Sequence, residues 1–108
     1  YLAYWDCARR TFDVPYFPIV TMGWDSSPRT VMSDRWTPVG YPYTNVISGN
    51  TPSAFSDALS ETRRRLAITG APKVLNINCW NEWTEGSYLE PDTALGLAYL
   101  EAVRDVFS

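Results

Sequence analysis

At 108 residues the chain has the size of one small domain, and 45% hydrophobic content is that of a folded protein. Nine basic against twelve acidic residues leave a net charge of −3, with no basic patch of the kind that nucleic acid or an anionic membrane surface requires. No apolar run approaches the roughly 20 residues of a spanning helix, residues 1–15 lack the regions of a signal peptide, and two cysteines without a histidine cannot assemble an ordinary zinc site. Aromatic residues make up 15% of the chain, with five Trp and seven Tyr. A core this small cannot enclose them all while pairing each indole N–H and phenol O–H, so some rings are expected to face a ligand.

The opening Tyr1-Leu2-Ala3-Tyr4-Trp5 reads as the middle of an element with no cap before it, as expected of a piece of a longer protein. Leu2, Trp5 and Ala8 or Arg9 fall at helical spacing, which predicts the tail of a helix over residues 1–12, stopped before Pro15. Residues 16–23, apolar and partly β-branched without clean alternation, predict a strand buried on both faces. From Trp24 to Asn50 no period is sustained, and a long loop is expected, of the kind that usually carries function. Thr51-Pro52 offers a cap and a first-turn proline to a helix whose face is Phe55, Ala58, Leu59, Thr62 and Leu66, running to Thr69 and closed by Gly70. Residues 73–80 are a second strand, Asn81 to Asp92 a second loop, and Asp92 is the expected cap of a last helix with Leu95, Ala98, Leu100, Ala102, Val103 and Val106 on its apolar face.

Helices alternating with strands point to an α/β fold with parallel pairing and right-handed crossovers. Two such βα units match the C-terminal portion of a (β/α)8 TIM barrel, whose whole takes about 250 residues; an open doubly wound sheet, also truncated, is the alternative. Either way residues 1–108 are expected to be a C-terminal fragment of a single domain.

In parallel α/β folds active sites are built where strands end, and Asn81-Glu82-Trp83-Thr84-Glu85-Gly86 begins there. Two carboxylates three residues apart converge if residues 82–85 form a helical turn, and Gly86 lets the backbone turn away. Glycoside hydrolysis needs one carboxyl to protonate the leaving oxygen and another, ionised, to assist at the sugar. Glu82 and Glu85 are therefore the candidate catalytic pair. Trp80, Asn81, Trp83, Tyr88 and Glu90 surround it as candidate substrate-binding residues, with Trp80, Trp83 and Tyr88 able to supply apolar packing beside a carboxyl. Glu90 either orients the pair or sits at the start of the final helix. Across the rim, Asp25 and Arg29 either bind sugar hydroxyls or pair with each other to organise the loop, and Trp24 either stacks on a sugar or packs. Arg63-Arg64-Arg65 fans around a helix as a solvated surface, and Cys7 and Cys79 are expected as buried small residues.

Residues 81–92, Asn-Glu-Trp-Thr-Glu-Gly-Ser-Tyr-Leu-Glu-Pro-Asp, together with Trp24-Asp25-Ser26-Ser27-Pro28-Arg29, resemble the WbsX-type domain, a relative of glycoside hydrolase family 99. The resemblance covers almost the whole chain. In that family's characterised α-mannosidases it implies a (β/α)8 barrel and a Glu-Trp-His-Glu-Gly motif whose glutamates correspond to Glu82 and Glu85, with Thr84 in place of the histidine. It further implies a retaining reaction through a 1,2-anhydro sugar, Glu82 drawing the proton from the 2-hydroxyl and Glu85 serving as acid and then base, with no metal or organic cofactor. The implied partners are an oligosaccharide or polysaccharide substrate and the remainder of the barrel. A glycosyltransferase of surface-polysaccharide synthesis and a non-catalytic carbohydrate-binding module are the competing functions.

Overall fold

The computed structural model describes residues 2–68, 70 and 72–108; the expected helix start at Tyr1 and helix end at Thr69 lie outside them. Helix α1 spans Leu2–Thr11 and buries Trp5 and Ala8, as their spacing predicts. Cys7 falls on the far side of that helix and is exposed, contrary to expectation, because successive helical positions are about 100° apart. Strands β1 (Ile19–Thr21) and β2 (Asn76–Asn78) pair in parallel with Val20 opposite Ile77 and Thr21 opposite Asn78. Both are shorter than the apolar runs containing them. Burial on both faces does not hold in this chain either: Val20 is 1% exposed, but Ile19 is 46% exposed, since two strands offer helices to one face only.

Helix α2 spans Pro52–Ile68 and starts where expected, Thr51 Oγ1 accepting the Ala54 N–H at 3.1 Å. Phe55, Leu59, Thr62 and Leu66 are its buried stripe, and Gly70 takes the left-handed conformation (φ +64°) that suits a residue just past a helix. Helix α3, Ala98–Phe107, begins later than Asp92 predicts. The Asp92 carboxylate accepts the N–H groups of Ala94 and Leu95 inside a turn closed by an Asp92–Gly96 bridge, so its capping capacity is spent there. Leu95 is exposed, and Tyr99 takes the core position in its stead, edge-on to Phe55 at 5.6 Å.

Val20, Met22, Phe55, Leu59, Tyr99, Ala102 and Val106 form one core between the sheet and α2 and α3. The arginine run is more than a solvated surface. Arg63 donates to the Val106 carbonyl, Arg64 and Arg65 bind Glu61, and Arg65 reaches Asp6 at 3.1 Å, fastening α1 and α3 to α2. Consecutive helical positions diverge, so Arg63 reaches α3 and Arg65 reaches α1, while Arg64 and Arg65 share Glu61 on their own helix. Among the described residues no helix is long and apolar enough to cross a membrane.

Candidate active site

The loops that follow the two parallel strands meet beyond their carboxyl ends. After β2 the chain makes a small antiparallel hairpin rather than an irregular loop: β3 (Asn81–Glu82) pairs with β4 (Ser87–Tyr88), joined by a 3-10 turn over Trp83–Glu85. Gly86 closes that turn at φ +59°, a backbone state that L side chains rarely adopt. After β1 a second 3-10 turn covers Ser27–Arg29, and the Asp25 N–H donates to the Glu85 carbonyl at 2.7 Å, joining the two loops directly.

Both candidate carboxylates reach one guanidinium: Arg29 Nη2 lies 3.6 Å from Glu82 Oε2, and Arg29 Nε lies 3.1 Å from Glu85 Oε1. A shared planar fork puts their nearest oxygens no more than about 9 Å apart, under the roughly 9.5 Å upper end of glycosidase carboxyl separations. The two differ in surroundings, the Glu85 side chain being 9% exposed and that of Glu82 45%. Glu85 Oε1 also accepts the Tyr41 phenol at 2.7 Å, and the Arg29 guanidinium sits 5.9 Å from the Tyr41 ring centre. Donation to Glu85, with some desolvation, raises the Tyr41 pKa above its usual 10.0, while the Arg29 charge opposes the rise.

Of the two readings for Asp25 and Arg29, the mutual ion pair is not formed. Arg29 turns to the glutamates, whereas Asp25 Oδ1 accepts the Ser27 N–H at 2.9 Å, and the Ser27 hydroxyl first and its backbone N–H second lower the Asp25 pKa. Trp24 donates its indole N–H to Thr44 Oγ1 at 2.9 Å, and Thr44 in turn meets Ser26 Oγ, which donates to the Pro42 carbonyl. Trp24 thereby anchors the fold-back of the 24–50 loop that delivers Tyr41. Tyr41 itself was not among the candidates from sequence; only the surplus of aromatic residues hinted at it.

Around the turn, Trp83 stacks on Tyr88 at 3.9 Å and donates its indole N–H to Glu90 Oε2 at 2.9 Å. Glu90 thus steadies the residue between the two catalytic candidates and is not at a helix start, since α3 begins at Ala98. Tyr88 donates to Asp92, which pushes its phenol up to about 12. Trp83 and Tyr88 pack on each other, whereas Glu85 is met by a cation and a phenol rather than by the apolar packing expected of them. Trp80 is exposed, as is Asn81, which pairs with Tyr88 in the hairpin.

Beneath the hairpin lies a polar layer that sequence reading missed. Ser87 is fully buried; its hydroxyl donates to the Asn78 carbonyl at 2.8 Å, accepts Asn78 Nδ2 at 3.1 Å and lies 3.0 Å from Thr21 Oγ1. Cys79, half-buried, donates its thiol to the Ser87 carbonyl. The last residues of both strands therefore bind the base of the carboxylate-bearing hairpin. A separate apolar cleft of about 600 Å³, lined by Leu66, Leu75, Ile77, Val103 and Phe107 among others, lies between α2, α3 and β2 and contains no carboxylate.

A family model described as Glycosyltransferase WbsX matches residues 2–103. Two curated proteins named WxcX, from Xanthomonas campestris pv. campestris strains B100 and ATCC 33913, are each 36% identical to the chain over 98 residues, covering 89% of this chain and 13% of the relative. The chain thus spans a small part of the length of these relatives. No solved structure matches.

Proposed function

The chain belongs to the WbsX family, a glycan-related group whose model is named for a glycosyltransferase, and on that premise we propose that it contributes the acid–base carboxylates of a retaining glycoside hydrolase built on a (β/α)8 barrel. The observation that carries this is the convergence of Glu82 and Glu85, across one short turn at the strand ends, on the shared Arg29 guanidinium. The unequal exposure of the pair suits unequal roles. Glu82 takes the proton of the sugar 2-hydroxyl, whose oxygen attacks the anomeric carbon. The glycosidic bond breaks, and the departing oxygen takes a proton from Glu85, leaving a 1,2-anhydro sugar. Glu85, now a carboxylate, draws a proton from water as the water oxygen opens the three-membered ring, and Glu82 returns a proton to O2. Two inversions at one carbon give net retention. Asp25, Arg29, Trp80, Asn81, Trp83, Tyr88 and Glu90 line or steady the sugar cleft, and other strands of the barrel complete it.

The test is turnover of α-linked oligosaccharides by the full-length protein and its Glu85→Gln variant. Loss of most hydrolysis with oligosaccharide binding retained is expected; undiminished hydrolysis would remove Glu85 from the acid role. The family's name favours a second reading, transfer of sugar from an activated donor to a glycan. Product analysis with either water or a sugar as acceptor separates the two, since a transferase consumes the activated donor only when a glycan acceptor is present.

A further inference from the structure

Resting on that assignment of Glu85, we infer that Tyr41 is a positioning residue which, with Arg29, clamps Oε1 of Glu85 and so leaves Oε2 as the oxygen that carries the proton to the leaving group. The contacts are one-sided. The Tyr41 phenol donates to Oε1 at 2.7 Å and Arg29 Nε reaches the same atom at 3.1 Å, while Oε2 receives neither. Among the described residues the buried side-chain N and O atoms without a partner are Trp5 Nε1 and Thr62 Oγ1, so Glu85 Oε2, to which no hydrogen bond is made, is not completely buried although the residue as a whole is. A carboxyl that accepts the Tyr41 phenol and pairs with the Arg29 cation on one oxygen is restrained from turning its other oxygen away, and a general acid works only within hydrogen-bond reach of the atom it protonates.

The geometry of the loop supports a dedicated role. Tyr41 lies in a segment folded back by Trp24, Ser26, Thr44 and Pro42, and its ring sits under the guanidinium that shares Oε1. Tyr41 and Arg29 therefore form a paired clamp, one neutral and one charged, with Glu82 on the far end of the same guanidinium.

The experiment uses the full-length protein, its Tyr41→Phe and Glu85→Gln variants, and two substrates sharing one α-linked disaccharide: the glycosyl fluoride, whose leaving group departs without a proton, and the alkyl glycoside, which needs one. Tyr41→Phe is expected to lower kcat on the alkyl glycoside by roughly 10- to 100-fold with little change in KM, and on the fluoride by no more than about 3-fold, a part of what a general acid supplies. Equal losses on both substrates, or none on either, would overturn the inference. If Glu85→Gln depends on the leaving group and Tyr41→Phe does not, this inference alone falls; if Glu85→Gln shows no such dependence, the acid assignment falls with it. A readout free of turnover comes from fluorotyrosine placed at position 41 and followed by fluorine NMR. Its pKa should drop in Glu85→Gln, since donation to Glu85 is the main cause of the rise at Tyr41; an unchanged titration refutes the clamp.

Discussion

Replacing Arg29 by Met removes both ends of the shared fork, and the structure says which end matters. The contact to Glu82 is long, at 3.6 Å, between side chains 41% and 45% exposed, a class of ion pair that contributes about 0–1 kcal/mol. The contact to Glu85 is an ion pair of 3.1 Å to a carboxylate only 9% exposed, less screened than a fully exposed pair and worth about 1.5–2 kcal/mol while the guanidinium remains partly hydrated. The reporter is the Asp25 amide, whose N–H crosses between the loops to the Glu85 carbonyl at 2.7 Å and exchanges only when they part. Arg29→Met should speed its hydrogen exchange by roughly 10- to 30-fold, whereas Glu82→Gln should speed it by less than about 5-fold. Hydrogen-exchange mass spectrometry of the full-length protein, on a peptide spanning residues 24–30, measures both. An Asp25 amide indifferent to Arg29→Met, or equally sensitive to Glu82→Gln, would refute the claim that the Arg29–Glu85 contact holds the loops together.

Leu59→Ala empties a fully buried position in the core and should destabilise the unit by about 2–5 kcal/mol, read as a lowered denaturant midpoint. Thr51→Ala removes the hydroxyl that accepts the Ala54 N–H and should cost about 1 kcal/mol, detectable as faster amide exchange in the first turn of α2. Asp92 has its pKa depressed below 3.8, chiefly by the Leu95 N–H and the Tyr88 phenol. Its stabilisation is therefore complete above 3.8 and lost as pH falls through the lower folded value. An acid limb in Trp83 fluorescence that disappears in Asp92→Asn is the expected sign. At the alkaline end the same contact is complete below 10.0 and lost as pH rises toward about 12, where the Tyr88 phenol ionises.

What could be read from sequence was what is decided locally. Thr51-Pro52, the Phe55 to Leu66 stripe and Gly70 define α2 within one segment, and the turn carrying Glu82 and Glu85 needs only Gly86 at its end. What escaped was decided by partners distant in sequence. Tyr41 reaches Glu85 because Trp24, Ser26 and Thr44 close the loop behind it, a set of contacts with no periodic signature. Asp92 fits the cap pattern, yet Gly96 offered a tighter turn first, which shifted the start of α3 to Ala98. Arg63 to Arg65 read as solvated because nothing local shows that Asp6 and the Val106 carbonyl lie within reach of their long side chains. The Asp25–Arg29 pair, one of two readings open from sequence, does not form for the opposite reason: a nearby partner existed, but the backbone N–H of Ser27 was nearer still for Asp25, and two carboxylates competed for Arg29.

Two independent anchors converge on the carboxylates, and their separation matters for how the site can work. The hairpin is fixed from below, where Ser87 is bonded to the final residues of both parallel strands, so its position follows the sheet. The opposing loop is fixed from the side, through Thr44, and carries Arg29 and Tyr41 to Glu85. A buried hydroxyl with every hydrogen-bonding group matched resists displacement, because losing one partner leaves the others unpaired in a dry setting. The base of the opposing loop holds a buried hydroxyl of the same kind, Ser26, bonded to Thr44 and to the Pro42 carbonyl, whereas residues 31–41 are exposed and move at lower cost. The turn carrying Glu82 and Glu85 is thus bonded at its base to both strands and the opposing loop is bonded at its own base, so Tyr41, at the end of the exposed 31–41 segment, is the part of this cluster whose displacement disturbs the fewest buried contacts.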